Sequence, residues 1–269
     1  MMYNTNLVDE EEIPVTTDEL LDLCSLLKGR SVTPLIFSGE LTEKYYDFFY
    51  YQLYAQYQGL EEYNIAQNGK IIDGSGKAVF DVSSTYQQGA LEAAQVIEDL
   101  LWYNNNNIVK TSTALNFGEA QVQYLSDEAA AMMFNGSWLM NEMGAYVGDS
   151  DFSLFRIPVV SAIKDRCTTV EDDAELSALI KAIDSGSATL TGTGYEVNQT
   201  DFDRVKEARN FCYLGAEGSN ACIVNSSEVN SGLAKLFLKY LYSDDGIKNF
   251  AYSKCGAITH RGEGRRIKE

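Results

Sequence analysis

Apolar positions along the chain recur at two spacings. Behind Thr16, which forms a capping box with Glu19, Leu20, Leu21, Leu23, Cys24 and Leu27 repeat at helical spacing up to Gly29. Residues 32–37 (VTPLIF) read as a short buried strand, and residues 41–58 (LTEKYYDFFYYQLYAQYQ) as a helix ended by Gly59. That helix carries Tyr and Phe on more than one face, so most of its rings belong in packing. Glu40, Tyr45 and Tyr46 lie at or near its start and are the exceptions. Residues 60–84 are polar, with a hairpin around Ile71-Ile72 and Val79-Phe80, and helical spacing returns over residues 86–103 and 117–125.

The stretch 129–143 (AAAMMFNGSWLMNEM) reads as an apolar strand over 129–134, a polar turn through Asn135, Gly136 and Ser137, and a helix opening with Trp138. A strand running into a helix start offers free N–H groups and a positive dipole end. With an indole beside those donors, two readings of Trp138 stand open: a core anchor, or a platform for a small polar ligand with an apolar face, such as a sugar. Residues 151–160 alternate as another strand. Beyond them lie helices at 173–183 and 201–210 around a Gly/Ser/Thr-rich link, a strand at 221–224, and helices at 228–242 and, capped by Ser243, 244–252. The tail HRGEGRRIKE is basic and without periodicity, which predicts a solvated segment. Strands separated by helices make this an α/β chain.

Length, charge and cysteines narrow the function. The 269 residues suffice for one large domain or two small ones, and Lys+Arg 21 against Asp+Glu 39 gives a net charge of -18. Such a balance argues against nucleic acid and anionic membranes as partners. The five cysteines, Cys24, Cys167, Cys212, Cys222 and Cys255, are scattered without CxxC spacing. That predicts no zinc site and either unpaired, mostly buried thiols or one or two chance disulfides among them. The single histidine, His260, has no nucleophile motif near it. Phosphate-loop, dinucleotide, GxSxG and HExxH signatures do not occur, so neither a metal nor a cofactor is expected. The N-terminus has no signal-peptide pattern, and no apolar run reaches a membrane span.

Four segments taken in order carry a family likeness: YNTNLVDEEEIPVTTDELLDLCSLLKG; residues 89–102 with the later Phe117-Gly-Glu-Ala-Gln; AAAMMFNGSWLMNEM followed by FSLFRIPVV; and SSEVNSGLAKLFLKYLYSDDGIKNFAYSKCGAI. Together they resemble the extracellular solute-binding proteins of ABC importers, in the sugar-binding, maltose-binding-protein-like branch. The resemblance implies a type II periplasmic-binding-protein-like α/β fold of two lobes with ligand trapped between them. It divides the chain into a C-terminal-lobe-like domain (1–160), a helical insertion and hinge return (161–215), a partial N-terminal-lobe segment (216–256) and the basic tail (257–269). It implies a non-enzymatic, monomeric protein that binds a mono- or oligosaccharide and delivers it to the importer's membrane subunits. Relatives of full length would be extracellular, anchored at the cell surface or periplasmic. Against that pattern the chain reads as truncated, without export signal or much of the N-terminal lobe. Carried over residue by residue, the likeness makes Trp138 a stacking ring, Glu40 with Tyr46 or Tyr45 a carboxylate and aromatic from one lobe, Asn135 and Ser137 donors from the turn, and Glu217 a contact near the hinge return. The competing readings are a glycoside-acting enzyme using paired carboxylates and a peptide-binding member of the same fold.

Overall fold

The computed structural model describes residues 1–40, 45–126, 129–136, 138–147, 151–187, 196–212, 222–224 and 227–253. They fall into two units, one of residues 1–134 and 150–213, the other of residues 135–149 and 214–269.

The first unit is built on a four-stranded sheet of order β2-β5-β1-β6, formed by β1 (Met2–Asn4), β2 (Leu35–Ile36), β5 (Met132–Met133) and β6 (Phe152–Leu154). β2 runs parallel to β5 with Leu35 opposite Met132, whereas β1 lies antiparallel to both β5 and β6. The carboxyl ends of β2, β5 and β6 therefore meet at one edge. A parallel bridge from Leu35 to Ile108 continues the sheet beyond β2. The separate hairpin of β3 (Lys70–Ile72) and β4 (Ala78–Phe80) stands where the sequence predicts one. Asp73 nucleates its turn by accepting the N–H groups of Ser75 and Lys77.

Helices α1 (Thr17–Gly29), α2 (Tyr46–Gln58), α3 (Leu60–Gln67), α4 (Gln88–Leu101), α5 (Phe117–Ser126), α8 (Asp173–Asp184) and α9 (Gln199–Asn210) complete this unit. The Thr16 hydroxyl accepts the Glu19 N–H, while the Glu19 carboxylate reaches the Val15 N–H at 2.7 Å, one residue earlier than a standard capping box. The left-handed turn after α1 falls on Ser31 (φ 62), with Gly29 as the last helical residue. Helices α2 and α4 approach closely: a Cβ on Gly89 would come 2.9 Å from the Tyr54 carbonyl oxygen. Phe49, Leu53, Tyr54 and Tyr57 of α2 are buried. Burial, with Tyr50 and Tyr63 alongside, pushes the Tyr54 hydroxyl up to about 12, so it stays neutral. Most of the aromatic helix is core, as its all-round apolar character predicts.

Helices α8 and α9 fill most of the described part of residues 161–213 and share this core through Leu176, Leu179, Ile180, Phe202, Val205 and Ala208. Two polar fixtures hold them. Arg209, only 6% exposed, forks onto Asp184 (2.6 and 3.0 Å) and donates to the Ile157 carbonyl oxygen. Asp201, 2% exposed, accepts the N–H and hydroxyl of both Thr168 and Thr169, and the Asn198 amide. Burial alone would raise the Asp201 carboxyl. The donors of Thr169 and Thr168 outweigh it and hold the group below its ordinary range. At the end of α2, where carbonyls lose their helical partners, Arg204 of α9 donates to those of Gln56 and Tyr57.

The second unit contains the short helices α6 (Leu139–Glu142) and α7 (Gly144–Val147), and the pair α10 (Glu228–Leu241) and α11 (Asp244–Ser253). Ser227 caps α10 and Ser243 caps α11. Val229, Leu233, Leu236, Phe237 and Tyr240 of α10 are exposed.

Three expectations are corrected. The strand expected at 221–224 is absent from its described part, since residues 222–224 have no regular structure. The polar region after Gly59 contains α3, whose Glu61 and Glu62 favour a helix N-terminus. The thiols are not mostly buried: Cys24 is buried and Cys167 half-buried, but Cys212 and Cys222 are exposed and unpaired. Among the described residues no helix is long and apolar enough to cross a membrane, and no group of three or more His, Cys, Asp and Glu could hold a metal ion.

Candidate functional site

In open α/β sheets ligands collect outside the carboxyl ends of strands, which directs attention to the exits of β2 and β5. From β2 the chain continues through the buried Phe37 and Ser38 to Gly39 and Glu40. The segment is clamped to the loop before α5: the Gly39 N–H donates to the Ser112 carbonyl oxygen at 2.9 Å, and the Glu40 N–H to that of Leu115 at 3.2 Å. The fit leaves no room for a side chain, because a Cβ on Gly39 would lie 2.6 Å from Thr113 Cα and 2.7 Å from the Ser112 oxygen. Glu40 itself is exposed.

Two residues after Leu115, α5 begins with Phe117. Asn116 and Glu119 form a reciprocal capping box, the Glu119 N–H donating to the Asn116 side chain and the Asn116 N–H to the Glu119 carboxylate. This fixes Phe117 at the helix start, where its ring stacks on Tyr45 (centroids 6.1 Å apart, planes at 17°). Tyr45 also touches Phe48 at 5.5 Å.

The neighbouring tyrosine is placed differently. Tyr46 meets the buried Phe37 edge-on at 5.7 Å and 89°, so it packs against the core. Of the two tyrosines, Tyr45 belongs to an aromatic cluster beside the backbone that presents Glu40. Phe117 completes that cluster and was not expected as a site residue. Its signal in the sequence was the Asn-x-x-Glu capping pattern, which marks a helix start just ahead of the strand–turn–Trp stretch.

The exit of β5 belongs to the other unit after Phe134. In the turn, the Gly136 N–H donates to the Asn135 side-chain oxygen at 2.7 Å. Trp138 is half-buried at the cap of α6, a helix of one turn rather than the longer one expected. The six-membered part of its indole lies against Gly136: a Cβ there would sit 2.2–2.5 Å from three ring carbons. A side chain at residue 136 would therefore have to push the indole aside. Ser137, Glu217 and His260 lie outside the described residues.

No family model matches the chain, and no curated protein matches it. Among solved structures the chain is similar to a family 1 extracellular solute-binding protein from Bifidobacterium longum subsp. infantis, with 14% identity over 94% of this chain and 51% of that one, and a TM-score of 0.49. It is similar also to maltose-bound T. maritima MalE3, with 16% identity over 94% of this chain and 50% of that one, and a TM-score of 0.48. A third, from work on xylan utilization by the thermophilic bacterium Caldanaerobius polysaccharolyticus, has 23% identity over 59% of this chain and a TM-score of 0.46. The chain spans 38% of that third protein and about half of the other two. At these identities the likeness concerns architecture alone.

Proposed function

We propose that this chain is part of a non-enzymatic carbohydrate-binding protein of the two-lobe solute-binding type, which holds a mono- or oligosaccharide for delivery to an ABC importer outside the cytoplasm. In this reading residues 1–160 belong to one lobe and residues 216–256 to the other. Trp138, Tyr45, Glu40, Asn135, Ser137 and Glu217 contribute to the site, with Phe117 added and Tyr46 left to the packing against Phe37.

The observation that carries the reading is the Glu40–Tyr45–Phe117 arrangement at the carboxyl end of β2. Aromatic rings accept the C–H faces of a sugar ring, and a carboxylate accepts its hydroxyls more strongly than a neutral group does. The order of the four family-like segments agrees with it. Against the glycosidase reading, among the described residues the carboxylates whose ionisation departs from the ordinary (Glu12, Glu19, Asp73, Asp81 and Asp201) are displaced downward, the reverse of what a general acid needs.

Isothermal titration of the protein against a panel of oligosaccharides, paired with a sensitive aryl-glycoside hydrolysis assay, tests the proposal. The expected result is saturable binding of at least one sugar, weakened by Tyr45→Ala and by Glu40→Gln, without turnover. Hydrolysis abolished by one Asp→Asn or Glu→Gln change would establish the enzyme instead.

A further inference from the structure

The hairpin of β3 and β4 has an edge whose backbone groups are left open. Its register sets Lys70 against Phe80, Ile71 against Val79 and Ile72 against Ala78. The Asp81 N–H donates to the Gly69 carbonyl oxygen at 3.1 Å, and the Asp73 N–H to that of Lys77 at 3.0 Å. In an antiparallel ladder bonded and non-bonded pairs alternate, so Ile71 and Val79 form the bonded pair between these two. Ala78 and Phe80 therefore point their N–H and C=O groups away from β3, and these meet no hydrogen-bond partner among the described residues. Their side chains share a face with Lys70 and Ile72. Phe80 is 80% exposed and Ile72 46%, with Lys70 Nζ 4.8 Å from the Phe80 ring centre. Sheets commonly blunt such an edge with a proline or a bulge. Residues 77–81, KAVFD, have no proline and keep a regular register.

We propose that β4 is a self-pairing edge, to which β4 of a second copy of this chain adds antiparallel about a two-fold axis at Val79. The segment KAVFD is complementary to itself in that register. Val79 faces Val79 of the second copy, Ala78 faces Phe80, and Lys77 faces Asp81, each unlike pair occurring twice. The outward groups of Ala78 exchange both bonds with those of Phe80 in the other copy, and the reverse pair does the same. The large ring lies opposite the small methyl, and beyond that Ala78 stands Ile72 of the same copy, so each Phe80 extends an apolar row. The Asp81 backbone is extended (φ -153, ψ 138), which carries the strand far enough to set its carboxylate opposite Lys77. A register slipped by two residues loses these pairings. Centred on Ala78, it would set Lys77 against Val79 and Phe80 against Gly76, whose N–H is already donated to the Asp73 carbonyl oxygen. Centred on Phe80, it would set Asp81 against Val79 and Ala78 against Val82, where the chain has turned into a 3-10 helix. A two-fold contact uses the same edge on both copies, so it closes at a dimer. The pairing departs from the monomer that the family likeness implies and depends on no ligand.

Sedimentation equilibrium of the folded protein over a wide range of concentrations tests the proposal. The weight-average mass should climb from that of one chain toward twice that value. Ala78→Pro removes an outward N–H that the hairpin does not use, so the urea midpoint should hold. Self-association should fall by about tenfold, since one donor is lost from each copy. Lys77→Glu sets acid against acid and Asp81→Lys sets base against base, so each variant alone should associate several-fold more weakly. In an equimolar mixture of the two every facing pair is again of unlike charge, and association should return. A mass that stays at one chain at every concentration would overturn the proposal. So would an association untouched by Ala78→Pro, or a mixture no stronger than its parts, since these place the contact on another surface or in another register.

Discussion

Alanine at residue 39 would place a methyl carbon 2.6 Å from Thr113 Cα, a backbone atom that has nowhere to go. Gly39→Ala is therefore expected to cost about 1–3 kcal/mol, the usual range for overpacking, read as a lower urea midpoint. It should also detach Glu40 from Leu115 and weaken any sugar binding. At Gly136 the atoms in the way belong to the Trp138 side chain, so the ring can yield where a backbone cannot. Gly136→Ala in a Trp102→Phe background should shift the emission maximum of Trp138 with little loss of global stability. An unshifted spectrum would show that the indole does not rest on Gly136.

Between elements, stability lies in a few buried polar fixtures. Arg209 ties the end of α9 to Asp184 and to the Ile157 carbonyl, with its own side chain almost wholly buried. Arg209→Met should cost about 3 kcal/mol, the lower end for breaking a buried pair, because Asp184 keeps access to water and a second partner in Arg156. A urea titration of the variant reads this directly. Such fixtures also explain what was legible in the sequence. Helices α1, α4, α5, α8, α9, α10 and α11 are written locally in caps and 3.6-residue periodicity, so their ends fall within about two residues of expectation. Strands were located but overextended: the run 129–134 pairs regularly only at Met132 and Met133, since ladder length depends on partners distant in sequence. The candidate site was half legible. Glu40 and Tyr45 stood out at a helix start, but the choice of Tyr45 over Tyr46 needed the partners Phe117 and Phe37, which no local pattern names.

At the scale of the whole molecule, the hydrogen-bonded carboxylates set the acid limit. Asp201 and Glu19 both titrate below their ordinary range. For Glu19 burial opposes this, and the Ser177 hydroxyl, the Val15 N–H and Lys181 prevail. A group bound more weakly by protons in the folded than in the unfolded state stabilises the fold above its unfolded pKa. That contribution is lost as pH falls through the folded value. Urea midpoints should thus fall steadily below about pH 4, and Asp201→Asn should flatten the fall while lowering stability at neutral pH. The sheet sets a limit of another kind. Strand β1, made of residues 2–4, lies between β5 and β6 and pairs with residues 132–133 and 152–154. On the ribosome it must wait, unpaired, until Met133 has cleared the exit tunnel, and stays open on its other side until Leu154 follows; long-range pairing of this sort closes slowly. Protection of nascent chains from protease should accordingly be complete only at lengths that include β6.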